Sequence, residues 1–141
     1  MEKYNHIKYF KPYEFLYSQT AKVRGIDNCP TDWLIYSNLF YLAYMLDHLR
    51  NVYGRPLAIT SGYRCPILNK AIGGVRNSRH LYGLAVDIRC LHNTDYEKIY
   101  QIIGKYARFI KYYSDKHYIH VDFTREMLVS FYHYNIPAYE K

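Results

Sequence analysis

Two short stretches of the chain alternate apolar and polar residues with a period of two: 84–89 (LAVDIR) and 118–123 (YIHVDF). In a strand, successive side chains point to opposite faces. Leu84, Val86 and Ile88 therefore share one face, and Ala85, Asp87 and Arg89 share the other. Ile119, Val121 and Phe123 are likewise separated from Tyr118, His120 and Asp122. A chain with two such strands must build a sheet with one buried face, and something apolar must cover it. The strongest helical pattern in the sequence supplies that cover. Ile35, Leu39, Leu42, Leu46, Leu49 and Tyr53 recur at four- and three-residue steps. Thr31 or Asp32 can cap the start, Gly54 can cap the end, and Pro56 prevents continuation. The expected fold class is α+β: a small, mainly antiparallel sheet with a polar open face and helices packed on the other side.

The remaining elements fit around this pair. Residues 12–17 predict a helical turn opened by Pro12, and 20–28 a connecting loop. Residues 57–60 predict a strand, Ser61-Gly62 a turn, 66–72 a short helix and 73–78 an irregular loop. Asn93-Thr94-Asp95 can cap a helix through Tyr96, Ile99 and Ile103 to Gly104. Strands at 109–113 and 117–123 would be joined through Ser114-Asp115-Lys116, followed by a helix at 125–132. With 141 residues, the chain is expected to form a single domain spanning 1–141. An arm of about 1–30 would clip onto it, and the tail, about 134–141, would be loose.

Composition narrows the classes of function. The formal charge of +7 favours polyanionic surroundings, either nucleic acid or an anionic bacterial envelope. No nucleic-acid motif accompanies it, so no nucleic-acid partner is expected. Cys29, Cys65 and Cys90 are odd in number and lack CxxC spacing, which argues against a disulfide framework and a cysteine metal cluster. No apolar run follows Met1-Glu2-Lys3, and none approaches the roughly 18 residues of a membrane span. The expected product is a monomer made in a cytoplasm without a signal peptide or membrane insertion, reaching any extracytoplasmic target by release or delivery.

The segment 59–87 places Arg64, Ser78, His80 and Asp87 in one glycine-punctuated stretch, and His120 joins them from the polar face of the later strand. Two imidazoles and one carboxylate form a three-ligand set that leaves zinc an open fourth position, a catalytic type of site. One zinc per chain is expected on His80, Asp87 and His120. His6, His48, His92 and His133 lack such support and read as ordinary surface or structural histidines.

Residues 78–87 (SRHLYGLAVD) are similar to the SxHxxGxAxD signature of the zinc D-Ala-D-Ala carboxypeptidase family of murein peptidases. SGYRCPILN resembles that family's SGYRsxxLN, Ile119-His120-Val121 its last zinc-ligand strand, and FKPYEF the FtxxEF opening of its short phage and bacterial members. The resemblance covers most of residues 10–123. It implies hydrolysis of peptide bonds in peptidoglycan stem peptides or cross-links, with zinc on His80, Asp87 and His120. Arg64 would then lie near a substrate carboxylate or developing oxyanion, and short stand-alone members serve phages for lysis or for crossing the wall. A zinc-stabilised module that only binds envelope or a partner is the alternative. Arg64 can also be structural, and Ser78 can serve either substrate or the His80 loop. The family's general base is a glutamate or an HxH histidine shortly before the last ligand. Here Tyr118 stands at the HxH position and reads as substrate-binding. Asp122, on the His120 face, is the preferred proton acceptor over His117, or else it orients His120.

Overall fold

The computed structural model describes residues 7–135; the expectations for His6, for the start of the arm and for 136–141 of the tail fall outside them. Along the described chain run α1 (Pro12–Leu16), α2 (Gln19–Arg24), α3 (Trp33–Tyr53), β1 (Leu57–Ser61), α4 (Pro66–Ala71), β2 (Ala85–Cys90), α5 (Tyr96–Ile103), β3 (Phe109–Tyr113), β4 (Tyr118–Asp122) and α6 (Arg125–Asn135). The strands form one sheet in the order β1-β2-β4-β3, with every neighbouring pair antiparallel.

Registry follows the alternation. Val86 pairs with Val121 and Ile88 with Ile119, while Ile110 and Tyr112 of β3 stand opposite Val121 and Ile119. These side chains join one apolar cluster with Leu39, Leu42, Leu46 and Leu49 of α3, Ile99 and Ile103 of α5, and Leu128 and Phe131 of α6. Asp32 caps α3, its Oδ1 accepting from Leu34 N at 2.9 Å, and Gly54 ends the helix in the left-handed region at φ 80°. Burying each of the large α3 side chains contributes about 1.5–3 kcal/mol. On the other face of the sheet lie Asp87, His120 and Asp122. The architecture is α+β, as the two alternating strands and the long helix require.

Local expectations are revised in five places. Residues 20–28 are not all loop. Ser18 Oγ accepts from Ala21 N at 3.1 Å and opens α2, which Gly25 closes at φ 68°. Ser61 belongs to β1 rather than to a turn, because a register shift between Ile59 and Ser61 sets Ser61 opposite Asp87. Asp95 does not cap α5; its carboxylate is drawn to Tyr53 Oη at 2.5 Å and Arg55 Nη1 at 3.1 Å. His117 is not in a strand. Tyr113 pairs and stacks with Tyr118, which leaves 114–117 as the turn with His117 at φ 55°. Finally, α6 continues through Tyr134 to Asn135, so the start of the expected tail is helical.

The N-terminal elements are stitched to the site segment by backbone groups. Tyr63 N donates to Phe15 O at 2.7 Å. Asn28 is buried and bridges Leu16 O, Tyr63 O and Cys65 N at 2.7–2.9 Å. Cys65 is itself buried and caps α4, its Sγ accepting from Leu68 N, and all three cysteines are free thiols. No described helix is long and apolar enough to cross a membrane.

Candidate functional site

The β2–β4 register sets Asp87 directly opposite His120 on the open face. His80 arrives from a single 3-10 turn, Arg79–Tyr82, whose start is fixed by Ser78 Oγ accepting from His80 N at 3.2 Å. Gly83 then turns the chain into β2 at φ 71°, and a Cβ there would stand 3.1 Å from Ile35 O. Glycine meets both demands.

Each imidazole is held from behind. His80 Nδ1 lies 2.7 Å from Gly62 O, which can only accept, so Nδ1 carries a proton, and Nε2 faces Asp87 Oδ1 at 3.2 Å. His120 Nδ1 lies 2.8 Å from the same Oδ1, and its Nε2 lies 2.8 Å from Asp122 Oδ2. Ligand atoms of His80, Asp87 and His120 all fall within 4.8 Å of one another. Two nitrogens and one oxygen converge on one point, with the outer nitrogen of each ring occupied by an acceptor. That donor set fits a divalent cation, and the outer contacts fix the ligating tautomers. The group can hold one metal ion.

The carboxylates are braced by arginines. Arg64 donates through Nη2 to Asp87 Oδ2 at 3.3 Å, through Nε to Ser61 Oγ at 3.0 Å and through Nη1 to Asn69 Oδ1 at 3.3 Å. Its backbone N–H donates to His80 O at 3.0 Å, so one residue ties β1, β2 and the histidine turn together. Arg108 donates through Nε to Asp122 Oδ1 at 2.7 Å and through its backbone N to Asp122 O at 2.8 Å.

Burial and hydrogen bonding oppose each other in the titration of this cluster. Burial would raise the Asp87 carboxyl, but hydrogen bonds from His120 and His80, and their charges, pull it well below the usual carboxylate range. Burial would lower His120, yet its hydrogen bonds to Asp122 and Asp87 and their negative charges push it up to about 9. Asp122 is also lowered, since His120 and Arg108 outweigh its burial. Tyr118 is raised, chiefly by burial and then by the Asp87 charge.

A cleft of about 530 Å³ opens over the metal-ligand group. It brings together Arg64, Ser78, His80, Asp87, Tyr118, His120 and Asp122. His117 is absent from its lining; the ring lies 3.4 Å from Tyr112 Oη, a residue packed against the core face of the sheet. Both Asp122 oxygens are occupied, one by His120 and one by Arg108. His48 is half-buried between Tyr106 and Phe131 rather than on the surface, while His92 and His133 are exposed. Arg108, Asn69 and the Gly62 carbonyl went unnoticed in the sequence. Asn69 sits in the SGYRCPILN segment, but Arg108 had only its position at the head of a strand to mark it.

The sequence profile of the family described as Peptidase M15 matches residues 8–122. The zinc D-Ala-D-Ala carboxypeptidase of Streptomyces albus G is 28% identical over 86 residues, which take in 55% of this chain. The alignment spans only 31% of that protein's own length. The profile match runs from before α1 through the whole sheet to the last residue of β4, and so contains the two histidines, the aspartate and both bracing arginines. This chain belongs to the peptidase M15 family.

Proposed function

We propose that the chain is a zinc peptidase hydrolysing peptide bonds in peptidoglycan stem peptides or cross-links, of the D-Ala-D-Ala carboxypeptidase or endopeptidase type. The observation that carries this reading is the convergence of His80, Asp87 and His120 at the floor of an open cleft, with Arg64 beside them. The Streptomyces relative, a zinc D-Ala-D-Ala carboxypeptidase by name, supports the metal and the substrate class.

Zinc on these three donors would supply Lewis-acid polarisation of the scissile carbonyl and activation of the attacking water. The chain's own groups then bind and orient. Three of Arg64's five N–H groups are engaged by the protein, leaving two for a substrate carboxylate or a developing oxyanion. Tyr118 lines the cleft, and its raised pKa keeps the hydroxyl protonated as a donor to substrate. Ser78 holds the His80 turn through its oxygen while its O–H stays available to substrate. Asp122 holds His120 in its ligating tautomer, the orienting role that its two occupied oxygens support.

The test joins metal analysis to a muropeptide digest read by mass spectrometry. The expected result is one zinc per chain and release of D-alanine or cleavage of a cross-link. Stoichiometric zinc without cleavage of any muropeptide would replace the enzyme with an envelope-binding module.

A further inference from the structure

We propose that Arg108 is a second substrate-binding arginine, selecting peptides with an acidic side chain on the side of the scissile bond away from Arg64; this rests on the peptidase reading above. The sheet order supplies the geometry. Arg64 follows β1 and bonds Asp87 on β2, whereas Arg108 immediately precedes β3 and bonds Asp122 on β4. The metal-ligand group lies between them, on β2, β4 and the turn before β2. From β1 to β3 are three inter-strand steps, about 14 Å, which about four extended residues would cross.

Arg108 is held yet not consumed. Its backbone N and its Nε are both fixed by Asp122, but its side chain is 42% exposed against 3% for Asp122, and it lines the cleft. Neither terminal nitrogen has a partner among the described residues. With Nε turned to Asp122, the edge formed by Nη1 and Nη2 remains, and that edge matches a carboxylate in a two-pronged contact. Among the described residues the cleft offers no uncommitted anion. Asp87 is engaged by His80, His120 and Arg64, and Asp122 by His120 and Arg108. Asp122 also keeps the guanidinium in place, so little side-chain freedom is lost on binding.

The experiment uses the zinc-loaded full chain and paired synthetic peptides in which the scissile amide is a ketomethylene group that cannot be hydrolysed. Within a pair, the peptides differ only in one side chain, a carboxylate or its carboxamide, placed one, two or three residues before that group. Calorimetry should show wild type preferring the carboxylate in at least one pair by roughly 10- to 100-fold. In Arg108→Gln, compared with wild type at saturating zinc, that preference should vanish. Arg108→Lys, which keeps the charge but not the fork, should retain only part of it. A preference undiminished in Arg108→Gln, or no preference in wild type while it cleaves the parent amides, overturns the assignment and leaves the peptidase reading standing. Wild type that neither binds the isosteres nor cleaves the parent amides overturns both.

Discussion

His120 is gripped on two sides, by Asp87 at one ring nitrogen and Asp122 at the other, so substitution of Asp122 is the test that separates holding a metal from doing chemistry with it. Asp122→Asn should weaken zinc affinity about 10–100-fold while cleavage of a cross-linked muropeptide, measured at saturating zinc, stays near wild type. His117→Ala should change neither. A dead but zinc-saturated Asp122→Asn would restore Asp122 as the proton acceptor. Arg64→Ala should keep its zinc and lose roughly 10²–10³ in turnover, with Arg64→Lys failing to restore it; normal cleavage would reduce Arg64 to scaffolding. At this scale the sequence told much about position and little about partnership. Strand alternation was enough to put Asp87, His120 and Asp122 on one face. That Asp122 is spent on His120 and Arg108 depends on the β3–β4 pairing, which joins residues 14 apart and leaves no local pattern.

Among the elements, α3 was legible because its signals agree: an apolar stripe, a capping aspartate and a terminal glycine. The helix α2 was missed because QTAKVR carries no such stripe, although Ser18 and Gly25 bracket it with a cap at each end. Asp95 misled for the opposite reason. A local capping pattern lost to Tyr53 and Arg55, about 40 residues away, through contacts that only the packed α3–α5 pair creates. This clamp has an acid signature. Its hydrogen bond from Tyr53 outweighs desolvation and, with the Lys98 and Arg55 charges, holds the Asp95 carboxyl below the usual range. A folded value below the unfolded one gives stabilisation that is present above about pH 3.9 and lost as pH falls through the lowered value. Thermal melts should therefore place Asp95→Asn below wild type at pH 7, with the gap narrowing below pH ~4; a gap independent of pH would mean the carboxylate charge contributes nothing. The approach of α1 to the site segment gives a second test. A Cβ on Gly62 would lie 2.4 Å from Phe15 O and 2.8 Å from Phe15 Cα, and the Gly62 carbonyl is what holds His80. Gly62→Ala should cost about 1–3 kcal/mol and weaken zinc binding with it. Gly104→Ala, in helical backbone with nothing within 4 Å of the added methyl, is the control that should melt no lower than wild type.

At the scale of the whole molecule, the metal-ligand group is a joint. It fastens β2 to β4 and to the histidine turn, and through Arg64, Gly62 and Asn28 it reaches β1 and the N-terminal helices. Without metal, the His120 proton, held by a pKa raised to about 9, faces the Asp87 carboxylate at 2.8 Å. A metal held by this group would compete with the proton for one nitrogen. The sign follows from the two values. His120 titrates near 6.5 in an unfolded chain and near 9 in the folded one. Its contribution to the metal-free fold is therefore complete below about pH 6.5 and is lost as pH rises through 9. Zinc bound there would replace the proton, so the zinc-loaded chain would escape that loss, and the stabilisation by zinc should grow from pH 6 to pH 9. At neutral pH and free zinc about a thousandfold above Kd, mass action alone adds about 4 kcal/mol, a rise in melting temperature on the order of 10 °C. Melts of the chelator-treated and zinc-loaded chain across this range provide the measurement, and His80→Ala should show no zinc-dependent rise at any pH. A zinc shift that is flat with pH, or that survives in His80→Ala, would mean that the metal is held elsewhere and that His80, Asp87 and His120 form only a hydrogen-bonded structural cluster.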